Sequence, residues 1–98
     1  MISVLLTSQQ PVEALGLAAS WSQAGDQVTV VLLDNATAVL RAGHRAADGL
    51  HAARAAGARV LAHGDAVTER AVATDVELVD LDRIADLIAD EQSRVQWW

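Results

Sequence analysis

Four polar side chains stand where this sequence could assemble a reactive or binding site. They are Ser8 in Thr7-Ser8-Gln9-Gln10, Asn35 in Asp34-Asn35, and His63 and Asp65 in His63-Gly64-Asp65. Each group follows a short apolar run, so together they offer a hydroxyl, an amide, an imidazole and a carboxylate. Ser8, His63 and Asp65 are the three types needed for nucleophilic catalysis. However, Asp65 is only two residues from His63, and no Gly-x-Ser-x-Gly turn exposes Ser8. A small-ligand site in which helix N-termini help hold an anion is the better chemical reading. Capping is the plainer one: Asn35 (or Asp34) and Asp65 as N-caps account for the residue types by themselves.

Other chemistries find less support. His44, His51 and His63 are the three imidazoles, and no His-Glu-x-x-His spacing links them into a metal site. Gly64 stands without a Gly-x-Gly-x-x-Gly or Walker pattern around it. The chain has no cysteine, which rules out disulfides, thiolate ligands and persulfide chemistry by its own side chains. No cofactor is expected. Asp82, Asp86 and Asp90 recur every four residues and read as a solvated helix face.

The elements that must position these groups alternate regularly. Residues 2–7 form a β-rich run, and Pro11 suits the first position of a helix whose Glu13 reaches back toward Gln10. Val12, Leu15, Ala18, Ala19 and Ser22 follow at helical spacing, and Ala24-Gly25-Asp26 closes the helix. Residues 27–33 are almost continuously apolar, as expected of a strand covered on both faces. Asp34-Asn35 then caps a short helix over 36–41, and an alanine-rich helix spans 45–56 with Ala46, Leu50, Ala53 and Gly57 as its packing stripe. A strand at 59–62, a short helix at 65–71 and a strand at 76–79 come next. Asp80 caps a helix with Leu81, Ile84, Leu87 and Ile88 inward, and 94–96 makes a short edge strand. Such alternation predicts a three-layer α/β domain over 1–98, with a mostly parallel sheet of four or five strands.

A net charge of −6, with no lysine and scattered arginines, argues against direct nucleic-acid binding. No apolar run reaches the ~20 residues of a membrane span, and the first residues lack a basic n-region, so a cytoplasmic protein is expected. Alanine and valine supply much of the 52% apolar content, which limits the area buried per residue and makes oligomerisation a natural support. Trp21, Trp97 and Trp98 are the interface candidates, because Trp joins a large apolar body to a single donor. A Trp pair at 97 and 98 suggests a segment docked on its own domain or on a partner.

The segment from Ser22 through Asp26 to Val28, then Val30 to Leu33, Asp34-Asn35 and Gly43-His44-Arg45, resembles the DsrE/DsrF/DsrH superfamily. Its order of elements is most similar to the DsrH/TusB branch of sulfur-relay subunits. The later matches are Asp65 to Arg70-Ala71, Leu78-Val79-Asp80-Leu81 and Trp97-Trp98, so the resemblance spans about three quarters of the chain. Ala71 replaces a frequent Gly, Leu81 replaces a frequent aromatic, and the His-Thr-type motif near the amino end is absent. Sulfur-carrying members bear a cysteine near the position of His63. The resemblance therefore implies a DsrE-like fold and a non-catalytic subunit, in a homo- or hetero-oligomer with DsrE-like or other sulfur-transfer proteins. The rival expectation is a ligand-binding or enzymatic domain using Ser8, Asn35, His63 and Asp65.

Overall fold

The computed structural model describes residues 1–8, 11–72, 74–90 and 94–98. Its strands are β1 (Ile2–Leu6), β2 (Val28–Leu32), β3 (Arg59–His63), β4 (Glu77–Val79) and β5 (Arg94–Trp97). They form one sheet in the order β4-β3-β2-β1-β5, and every neighbouring pair is parallel. The helices are α1 (Val12–Gln23), α2 (Ala47–Ala55), α3 (Gly64–Glu69) and α4 (Leu81–Ala89), with a 3-10 segment at Asp34–Leu40. The three-layer α/β arrangement expected from the sequence is present, with five strands all parallel. The pairing of Glu13 with Gln10 lies outside the described residues.

Chain direction explains the layers. From β1 to β4 each strand is added on the same side of its predecessor, so right-handed crossovers keep the intervening helices on one face. The connection from β4 to β5 runs back across the whole sheet, and the same handedness puts α4 on the opposite face. Side chains alternate accordingly. Val4, Leu6, Val30, Leu32, Val60 and Ala62 pack under α1 and α2, joined by Val67 of α3. Leu5, Val31, Leu61 and Val79 point the other way and meet Ile84 and Leu87 of α4. Both β1 and β2 are buried at every position, which is why they read as continuous apolar runs.

The second face is thinly covered. Leu81 and Ile88 were expected to face inward, yet they are 63% and 40% exposed, and Val12 of α1 is exposed too. A nine-residue helix is about 13 Å long, whereas five strands span roughly 19 Å. Only Ile84 and Leu87 lie over the sheet; positions 81 and 88 fall past that contact. Leu33 and Val95 on this face are only partly buried.

Three helices end in the same Schellman pattern. After α1, Gly25 N–H bonds Ser22 C=O and Asp26 N–H bonds Trp21 C=O; after α2, Gly57 and Ala58 bond Arg54 and Ala53. After α3, Ala71 N–H bonds Thr68 C=O and Val72 N–H bonds Val67 C=O. The motif needs a left-handed residue, and Gly25 and Gly57 supply it with φ of 98° and 108°. Ala71 adopts φ of 51° and carries the steric cost of its Cβ there. Ala71→Gly is therefore expected to stabilise the protein by about 0.5–1 kcal/mol, the relief exceeding the added chain entropy. A melting temperature that fell, measured by circular dichroism, would contradict this assignment.

Candidate functional site

The carboxyl ends of β2 and β3 open onto a crevice of about 310 Å³, lined by Leu33, Asp34, His63, Asp65, Arg70 and Leu81, among others. Parallel sheets commonly bind ligands at this end. His63 pairs in register with Val79 and so points to the α4 face, its side chain 17% exposed. Its Nε2 is buried without a hydrogen-bond partner among the described residues. The Asp65 carboxylate lies 3.9 Å from that nitrogen, beyond hydrogen-bonding distance.

The capping assignments do not hold. The residue preceding the 3-10 segment is Leu33 and the residue preceding α3 is His63, and neither end has a side-chain cap. Asp34 and Asn35 are instead turned toward Arg70, whose Nη2 donates to Asp34 Oδ1 at 2.8 Å and to Asn35 Oδ1 at 3.1 Å. Asp65 sits inside the first turn of α3 and is exposed. Asp80 does cap α4, accepting from Arg83 N at 2.9 Å. Caps are local in sequence, whereas Arg70 is 36 residues from Asp34; sequence spacing gave no signal for this pair. Arg70 and Glu69, which also lines the crevice, are the site residues that sequence reasoning missed.

Ser8 lies apart from this group. It follows β1, and β2 stands between β1 and β3, so two strand spacings, about 10 Å, separate it from His63. Asn35, His63 and Asp65 share the β2–β3 end, while Ser8 stands beside the end of β5. There, Trp98 C=O accepts from both the Thr7 amide at 2.8 Å and the Thr7 hydroxyl at 3.1 Å. Among the described residues, no group of three or more His, Asp or Glu side chains is placed to hold a metal ion. His44 Nδ1 accepts from Ala46 N–H ahead of α2, and His51 lies on α2 itself. Also among the described residues, no helix is long and apolar enough to cross a membrane.

The tryptophans divide into two environments. Trp21 is half-buried against the α1–α2 core. Trp97 pairs in register with Leu5, which places its indole on the thinly covered α4 face, 60% exposed. Trp98 is 38% exposed, although its N–H donates to Leu5 C=O at 2.8 Å. The backbone of this segment is thus tied into the sheet while its largest side chains face outward. That combination suits a preformed contact surface, because little chain entropy remains to be lost when a partner docks.

Neither a protein-family model nor any curated protein matches this sequence. A solved structure does match in shape: the crystal structure of the ychN protein from E. coli superposes with a TM-score of 0.82. The alignment covers 99% of this chain and 97% of that one, at 16% sequence identity. The fold of this chain is DsrE-like.

Proposed function

We propose that this chain is a non-catalytic subunit of a cytoplasmic sulfur-transfer assembly of the DsrH/TusB kind, acting through protein contacts at strand β5. The observation that carries this reading is the pair of exposed indoles, Trp97 and Trp98, on a strand anchored by backbone hydrogen bonds. The DsrE-like fold and the absence of cysteine support it. A chain without a thiol serves a sulfur relay by holding subunits that have one.

The test is a Trp97→Ser, Trp98→Ser double variant. Tagged wild-type protein recovered from its native host is expected to bring down a cysteine-bearing DsrE-like chain. The variant should retain its circular dichroism spectrum and hold that partner at least tenfold more weakly, as expected for interface tryptophans. A monomeric wild-type chain that recovers no cysteine-bearing partner would sink the proposal. So would a folded variant that binds the partner undiminished.

One observation favours a second reading, a small-ligand site at the β2–β3 end: the buried Nε2 of His63 has no partner among the described residues. A native ligand there would raise the melting temperature of the wild type and not of an Asn35→Ala, His63→Ala, Asp65→Ala triple variant. If the triple variant bound the ligand equally well, this reading would fail.

A further inference from the structure

A second cleft lies away from the strand ends and from the exposed tryptophans. It occupies about 420 Å³ along the outer flank of α2, between that helix, the link at Arg41 to Gly43 and the segment at Thr74 to Val76. Its volume is within the range of small-molecule sites. Ala47, Leu50, His51 and Arg54 line one wall. Their spacing of three, four and seven residues puts them on a single helix face. Val39, Leu50 and Val76 are buried side chains and give the cleft an apolar floor.

Its charge runs against that of the molecule. The chain carries −6 overall, yet this wall and rim hold Arg41 and Arg54 against one carboxylate, Asp75. Among the described residues, neither arginine is firmly neutralised. Arg41 Nη2 donates at 3.1 Å to the backbone carbonyl of Arg70, an acceptor that steadies the guanidinium and leaves its charge in place. Arg54 meets Asp75 through one contact of 3.5 Å, with the two side chains 42% and 84% exposed. An ion pair this long and this wet contributes little and is readily exchanged. Two other arginine pairs contrast with it: Arg59 reaches both oxygens of Glu77 at 2.8 and 3.0 Å, and Arg70 reaches Asp34 at 2.8 Å.

We propose that this cleft binds a small organic anion, with a carboxylate or phosphate on Arg41 and Arg54 and an apolar body on Val39, Leu50 and Val76. Arginine suits the first task because its planar fork matches both kinds of oxyanion. The buried floor suits the second, since an apolar group there leaves water without displacing any charged partner. Asp75 acts as the occupant of Arg54 while the cleft is empty and is displaced when the anion enters.

Titration of ¹⁵N-labelled protein with benzoate, phenyl phosphate, benzyl alcohol and inorganic phosphate tests this. Benzoate or phenyl phosphate is expected to shift the amides of Ala42, Gly43, His51, Asp75 and Val76. Benzyl alcohol and inorganic phosphate, each lacking one half of the ligand, should bind about tenfold more weakly. Arg41→Gln and Arg54→Gln should each weaken the organic anion about tenfold, and Asp75→Asn should tighten it. The aryl anion separates the sources, because phenyl phosphate favoured over benzoate marks a phosphate ester and the reverse marks a carboxylate. Benzyl alcohol binding as well as benzoate would overturn the proposal. Shifts confined to Leu33, His63 and Asp65 would overturn it too, by moving the anion to the strand-end crevice. Failure of Asp75→Asn to tighten binding would refute it even if an arginine variant did not fold.

Discussion

Leu61→Ala is expected to lower the unfolding free energy by about 3 kcal/mol and the melting temperature by roughly 15 °C. Leu61 is fully buried on β3, at the centre of the cluster formed by Leu5, Val31, Val79, Ile84 and Leu87. Among the described residues, Ile84 and Leu87 are the buried side chains that hold α4 to the sheet, so a void beneath them loosens the second layer. Some collapse of α4 into the space keeps the cost below the upper end seen for such truncations. The loss is nonetheless a large fraction of the ~5–15 kcal/mol that separates folded from unfolded domains. Urea denaturation checks it: a change below about 1 kcal/mol would mean that α4 does not rest on Leu61.

Removal of residues 94–98 is expected to cost at least about 4 kcal/mol and to make the protein prone to self-association. The ladder between Ile2–Leu5 and Arg94–Trp97 goes with it, as do the flanking backbone bonds from Arg94 to Met1, from Trp98 to Leu5 and from Thr7 to Trp98 and the Thr7 hydroxyl bond. Each bond is worth about 1 kcal/mol net. The partly buried Val95 is lost as well. β1, an interior strand at present, becomes an apolar edge able to pair with other chains. The urea midpoint and sedimentation velocity report the two effects, and an unchanged midpoint would show that β5 is not paired in solution. For this reason point substitutions at Trp97 and Trp98, rather than truncation, separate partner contact from folding.

Much of the fold was legible because its signals are local. The apolar runs that became β1 and β2, the acidic cap at Asp80 and the Gly25 turn closing α1 are all read within a few residues of the feature they produce. Gly57, expected in the packing stripe of α2, instead ends that helix with φ of 108°. The pairings that failed to show are long-range. Asp34 and Asn35 have the composition of caps, and only the fold brings Arg70 within 2.8 Å of Asp34 to give them another task. Helical periodicity assigned Leu81 and Ile88 to the inside because period reports which face is apolar, not how much sheet lies beneath it. α2 starts at Ala47 rather than 45, since the turn through Gly43 and His44 runs two residues longer than the pattern suggested. For the candidate site, His63 and Asp65 were visible as strand-end polar groups, whereas the position of Ser8 depends on strand order, which spacing does not encode.

The reversal of the chain after β4 has a consequence for the order in which contacts form. β1 to β4 follow one another along the sheet, so their register pairs lie at most 30 residues apart, as in Thr29 with Arg59. The β1–β5 ladder joins Ile2 to Arg94 and Thr7 to Trp98, sequence positions 91 apart in the second case. Its loop-closure entropy is the largest in the sheet, which makes it a late event and slows folding relative to a fold of purely sequential contacts. The edge that presents Trp97 therefore comes into existence only when the rest of the chain is in place. A partner that recognises β5 would consequently select finished molecules over partly folded ones.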